Sequence, residues 1–283
     1  MKKEHKGEIF ILSSSIFFAI TAILVKVLTN TFSALFIILI RFIIGITLSI
    51  SFIKITKSNF KGLKSWDSVW RGITGAGAMV LFYVSIQLSS SARASMLNLT
   101  YPFFVLLLGG LFYGQKITKK HVYSLILSVI GILFIFYDGT TYGFLGNLMG
   151  LLSGFSAGFA IHYISRLRKK GVSSYTVYLS ACLFGLIPAL FAFKEYTKID
   201  ASNIILLGIM GVSIFIAQYL MTKGYKYVTP TRGSILMYSY IPITTLLSYF
   251  FVDEVITLRF IIGMVLIFFG ILVKDKSTAD SNI

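Results

Sequence analysis

Shifted by 139 positions, this chain coincides with itself without a gap: Gly7 falls on Gly146, Ser14 on Ser153, Gly72 on Gly211, Arg93 on Arg232 and Gly131 on Gly270. The stretch Gln115-Lys116-Ile117-Thr118 falls on Glu254-Val255-Ile256-Thr257 in the same frame. One structural plan is used twice, and neither copy contains a polar shell of its own. That combination confines the chain to folds in which two similar units share one interior.

The solvent of such a chain is lipid. Of 283 residues, 56% are hydrophobic and 13% charged, with a mean hydropathy of +0.85. A soluble domain of this length needs far more polar surface. A spanning helix takes roughly 20 mostly apolar residues. On that criterion ten segments qualify: 8–28, 33–53, 70–88, 92–113, 119–137, 144–165, 173–193, 203–223, 230–252 and 256–273. The first reads as a span rather than a cleaved leader, since its apolar run is long, lacks a small-residue cleavage pattern and pairs with 144–165 in the repeat. Cys182 is the single cysteine, so no intrachain disulfide is possible.

The formal charge is +16, and its distribution assigns it to topology. With ten spans and both termini on one side, twenty Lys and Arg residues fall on that side, from Lys2 through Arg71, Arg166, Lys170 and Arg232 to Lys276. Arg93, Lys194, Lys198 and Arg259 fall on the other, and Lys26 and Arg41 lie within spans. Excess Lys and Arg marks the cytoplasmic face, so both termini are expected there. The basic segments attract anionic lipid heads; spread over six short stretches, they argue against a nucleic-acid partner.

Five spans per copy is an odd number, so the second copy enters the membrane upside down. Residues 1–140 and 141–283 are therefore expected to be inverted five-helix repeats within one all-α membrane unit. Gly150, Gly154 and Gly158 form a small-residue stripe that allows close helix approach, either inside the monomer or at a homodimer face. Pro102 and Pro242 each remove one backbone hydrogen bond near mid-membrane, which is tolerated where freed carbonyls line a cavity or find neighbours. The longest loop, about 54–69, is expected to be a plain Lys-rich loop.

The fourth and ninth segments carry a recurring pattern. Ala92-Arg93-Ala94-Ser95 leads to Tyr101-Pro102, Gly109-Gly110, then Gly114-Gln115-Lys116-Ile117-Thr118 and Gly131. Its second copy runs Thr231-Arg232-Gly233-Ser234, Ile241-Pro242, Asp253-Glu254-Val255-Ile256-Thr257, Gly263 and Gly270. Over its whole length the chain resembles the EamA-type branch of the drug/metabolite transporter superfamily. It departs from the family pattern at Gln115, where Glu is usual, and at Asp253, where Gly is usual. The resemblance implies a carrier of a small polar metabolite, an amino acid or related zwitterion above all, in a bacterial-type inner (plasma) membrane. It also implies a central cavity lined by spans one, three, four, six, eight and nine.

The candidate binding residues are polar and aromatic. All ten acidic residues lie at or beyond the ends of the segments, which argues against a cation/proton antiporter that holds its cargo on a membrane carboxylate. No His/Cys/Asp cluster suggests a metal, no Walker-type loop suggests ATP hydrolysis, and no cofactor or enzymatic constellation is indicated. Asn98 and Tyr101 lie three apart on one helix face; Asn98 reads equally as a ligand or as interhelical glue. Met79, Tyr83 and Gln87 follow four-residue spacing, and Gln218 and Thr222 are the repeat mates of Met79 and Tyr83. Tyr238 and Tyr240 are further candidates, for the site or for an interfacial belt. His162 is the one histidine placed well inside a span, a proton relay or a helix-packing group. Arg41, about 10 Å deep at 1.5 Å per residue, reads as a partner for a substrate carboxylate or as a structural cation. Lys26 reads as a snorkelling anchor. Such a cavity, without fixed negative charge, suits a neutral or zwitterionic solute. An importer of a cationic or nucleoside-type metabolite and a non-transporting sensor or subunit are the alternatives.

Overall fold

The computed structural model describes residues 3–112, 119–137, 143–253 and 255–272. The motif Gly114 to Thr118, and Lys2, Asp138, Glu254, Lys274, Asp275, Lys276 and Asp280, lie outside the described residues. Within them the chain is helical and holds no strand. The helices are α1 Lys3–Leu28, α2 Ala34–Ile55, α3 Trp66–Leu88, α4 Ser91–Asn98, α5 Tyr101–Phe112, α6 Lys119–Phe136, α7 Phe144–Lys169, α8 Ser174–Ala189, α9 Ala201–Gly224, α10 Pro230–Leu236, α11 Tyr240–Val252 and α12 Leu258–Leu272.

Local chemistry sets where they start. Ser33, Ser65, Ser173 and Asp200 each accept the backbone N–H three residues on, satisfying one of the amides a helix start leaves open. Ser90 caps α4 by accepting from Arg93 N at 3.1 Å, and Thr229 caps α10 by accepting from Arg232 N at 3.2 Å. Those caps are 139 positions apart, so the repeat extends to the residues that open each helix. The loop after α2 holds turns and no helix.

The fourth and ninth apolar segments are each interrupted. Pro102 has no N–H for Asn98, and the chain breaks between α4 and α5, where the Thr100 hydroxyl donates to Leu97 O at 2.6 Å. Pro242 likewise leaves Tyr238 without its donor, and a 3-10 turn over Met237–Ser239 joins α10 to α11. The seventh segment changes from α8 to a 3-10 stretch, Leu190–Lys198, just past Pro188.

Eight of the ten expected segments are long and apolar enough to cross a membrane, with α4–α5, α8 with its 3-10 extension, and α10–α11 each counted as one. The last expected span is shorter, 15 residues in α12, or about 22 Å at 1.5 Å per residue. The polarity runs inside out. Ser14, Ser15, Ser85, Thr100 and Ser153 are fully buried, whereas Phe191 is 87% and Phe250 71% exposed. Water would reject that surface and lipid accepts it; the chain is a multi-pass membrane protein.

The main packing contacts cross between the two halves. α3 lies along α7 and α1 along α9, α2 packs on α8, and α6 pairs with α12. Each partner pair maps onto itself or onto another of these pairs when 139 is added to or subtracted from its numbers. The Gly150, Gly154 and Gly158 stripe packs inside the monomer, against Leu97 and Ser85, against the α4–α5 break, and against Phe104. α6 and α12 cross at Gly131 and Gly263. A Cβ on either glycine would stand 2.7 Å from the other's carbonyl oxygen.

Candidate functional site

α3 builds one wall of an interior cavity. Arg71, Gly75, Ala78, Met79, Phe82 and Tyr83 recur at three- and four-residue steps on one face. Thr21 and Phe18 of α1, Arg41 of α2, and Asn98, Leu99 and Tyr101 around the α4–α5 break add to it. From the second half come Ala157, Ala160, Ile161 and Ile164 of α7, Ile214, Gln218 and Met221 of α9, then Met237 and Tyr240. The cavity is about 110 Å³, counted as positions open to the centre of a water molecule. That is room for several waters or one small solute. Its lining comes from the six spans that the family resemblance implies, with Arg41 added from α2.

Five expected residues, Arg41, Tyr83, Asn98, Tyr101 and Gln218, meet in this cavity. Asn98 donates from Nδ2 to Ser153 Oγ at 2.9 Å, so it joins α4 to α7 while facing the space. Gln218 Oε1 is buried without a hydrogen-bond partner. Met79, the repeat mate of Gln218, lines the opposite wall; Thr222, the mate of Tyr83, does not reach the space.

Two expected residues lie elsewhere. Tyr238 is 3% exposed and donates to Leu99 O at 2.9 Å, which satisfies a carbonyl at the α4–α5 break and rules out a place in a lipid-facing belt. His162 is buried between α7 and α5 with Nε2 2.9 Å from Val105 O, a helix-packing position. Gln87 also turns away, accepting from Ala34 N at 2.9 Å. Tyr240, not Tyr238, is the tyrosine of this segment that faces the cavity, its hydroxyl 2.6 Å from Ser95 Oγ. Its repeat mate Tyr101 lies beside Ser234, the mate of Ser95.

The cations correct the sequence expectation most. Lys26 does not snorkel: Nζ donates to Ser89 O at 2.6 Å and Ile86 O at 3.3 Å, capping the end of α3. Arg41 does not snorkel either; it is 2% exposed and its guanidinium lies 5.0 Å from the centre of the Tyr83 ring. By sequence, Arg71 belongs at the helix margin with the cytoplasmic charges. It is 1% exposed because α3 begins at Trp66, a turn and a half earlier. Its guanidinium lies over Gly75, where any Cβ would collide with it. Ser65, a helix cap by type, and Gly75, four residues on from Arg71, were the signals that could have located it.

A guanidinium stays protonated at any relevant pH, so the cavity carries two fixed positive charges. Taking such an ion out of water costs several kcal/mol. No Asp or Glu lines the cavity among the described residues, and none of them forms a cluster suited to a metal.

The model of the EamA-like transporter family matches the chain in two stretches, residues 5–137 and 144–273, whose starts are 139 positions apart. The chain is similar to an uncharacterized transporter of Clostridium kluyveri, 24% identical over 296 residues, covering 98% of this chain and 95% of that one. It is similar to an uncharacterized transporter of Helicobacter pylori, 23% identical over 277 residues, covering 92% and 91%. A crystal structure shares the fold, with a TM-score of 0.65 at 17% identity, covering 93% of this chain and 95% of the other.

Proposed function

This chain belongs to the EamA-like transporter family, and we propose from that premise that it is a secondary carrier of a small polar metabolite, working by alternating access. The observation that carries this reading is a cavity enclosed by helices of both halves, with polar groups aimed into it. We read the halves, residues 1–140 and 141–283, as inverted five-span repeats with both termini cytoplasmic in a bacterial inner membrane. The interleaved pairs α3 with α7 and α1 with α9 support that reading, because each exchanges with the other under the repeat offset. Rocking one half against the other then opens the cavity to each side in turn.

The cargo expected from sequence is amino acid-like. Arg41 and Asn98 suit a carboxylate and a polar group of such a solute, since Arg binds carboxylates bidentately. A cationic cargo is disfavoured by two guanidinium groups and by the lack of a carboxylate in the lining. The protein acts as a monomer in this reading, with its glycine stripe spent on internal packing, and it needs no enzymatic step.

Counterflow in vesicles containing the purified full chain tests the reading. Saturable exchange of a labelled small solute, weakened in Asn98→Ala and Tyr83→Ala, is expected. Folded protein that exchanges no solute of any charge class would point instead to a sensor or subunit that keeps the fold.

A further inference from the structure

We propose that the solute carried is a small organic anion, seated by its oxyanion groups between Arg41 and Arg71. The inference rests on the carrier reading and narrows it from a polar metabolite to a net-negative one.

Two other cations held inside the fold, half-buried Lys26 and buried Arg93, show what a structural role looks like here. Lys26 caps the carbonyls of Ile86 and Ser89, and Arg93 donates from a terminal nitrogen to Ile135 O at 2.7 Å. Among the described residues, neither Arg41 nor Arg71 caps a backbone carbonyl; Arg41 lies beside the Tyr178 and Tyr83 hydroxyls, and Arg71 lies over Gly75. Nε is buried without a hydrogen-bond partner in Arg41 and Arg71, as it is in Arg168, and Arg71 adds one terminal nitrogen in the same state. Both side chains line the same cavity.

An acid stands at the right spacing on the same helix and is already used. Asp67, one turn before Arg71, is 2.6 Å from Lys170 Nζ and 3.6 Å from Arg166. Two charged forks are thus left facing a space of small-solute size, with Thr21, Asn98 and Gln218 nearby to complete the contacts. Guanidinium forks match carboxylate and phosphate oxygens in geometry as well as charge. Removal of an anion leaves them uncompensated, which makes them a recognition device rather than a brace.

The lining offers little to an ammonium group. It contains no carboxylate among the described residues, and Arg41 itself occupies the Tyr83 ring as a cation–π partner. The arrangement therefore separates a net anion from a zwitterion, where a single arginine would not.

The test is counterflow by the full chain in vesicles, with four labelled probes in parallel: succinate, glycerol 3-phosphate, serine and choline. Saturable exchange of succinate or glycerol 3-phosphate is expected, and the arm that works identifies the oxyanion as carboxylate or phosphate. Arg71→Gln is expected to raise the half-saturating concentration by about thirtyfold or more, the lower end for losing one partner of a buried charge pair. Arg71→Lys, which keeps charge without the fork, should fall between. The thermal midpoint of ligand-free Arg71→Gln should equal or exceed that of the parent, because a buried unpaired charge is removed. A lower midpoint would show that Arg71 is a brace and would overturn the assignment. Exchange of serine or choline alone, or anion exchange indifferent to Arg41→Gln and Arg71→Gln, would overturn it while leaving the carrier intact. Exchange of none of the four would overturn the carrier reading and this inference with it.

Discussion

Tyr238 donates its hydroxyl to the carbonyl oxygen of Leu99 at 2.9 Å, and the two residues stand 139 positions apart, the offset at which the sequence coincides with itself. The chain meets itself there at equivalent points of its two interrupted segments. One break supplies the donor and the other the acceptor, so the second interruption helps to satisfy the first.

Removing that donor isolates a buried carbonyl. Tyr238→Phe is expected to lower stability by about 1–3 kcal/mol, read as a fall in the thermal unfolding midpoint in detergent. Tyr196→Phe, on a tyrosine 56% exposed, sets the baseline. Equal midpoints for the two variants would show that the bond between the breaks carries no stability.

Gly154 faces the same break from α7. A Cβ there would lie 2.8 Å from Asn98 O and 2.9 Å from Leu97 O, both backbone atoms that cannot swing aside. Gly154→Ala is expected to cost about 1–3 kcal/mol, as overpacking does. Gly208→Ala, with nothing within 4 Å, should be neutral or slightly stabilising, since Ala is the better helix former. A harmless Gly154→Ala would contradict the close approach of α7 to α4.

Glu8 and Arg232 join the start of α1 to the start of α10 through two hydrogen bonds, at 2.7 and 3.0 Å. Arg232 is 39% exposed, so solvent screens the pair. A double-mutant cycle with Glu8→Gln and Arg232→Gln should give a coupling of about 0.2–1 kcal/mol that shrinks in 1 M salt. Additive effects would mean that the two side chains do not interact in solution.

Cys182 is fully buried, on α8 behind Arg41. A maleimide is expected to leave it unlabelled in the folded protein and to react as the protein is heated through its transition, which turns the lone thiol into an unfolding probe. Rapid labelling at low temperature would show that α8 opens locally.

Some of this was legible in the sequence for a definite reason. Lipid demands long apolar helices and satisfied backbones, so the spans and the proline interruptions near Asn98 and Tyr238 stand out in one dimension. Side-chain partners on other helices do not. Lys26 reads as a surface anchor until the end of α3 is placed beside it, and Arg71 reads as a cytoplasmic charge at a helix margin until Ser65 fixes the start of its helix. The choice between Tyr238 and Tyr240 depends on the 3-10 turn over Met237–Ser239, which advances each residue by about 120° instead of about 100°. Without that turn, the sequence leaves both tyrosines as candidates.

The crossing of α6 and α12 at Gly131 and Gly263 bears on how the two halves can move. Ile135 and Ile267 sit one turn beyond the crossing on their own helices, each against the opposite glycine. Sliding one helix along the other would drive these side chains into backbone, whereas turning about the crossing would not. In the rocking carrier proposed above, this pair would serve as a fulcrum, leaving tilt of one half on the other free and resisting shear between them.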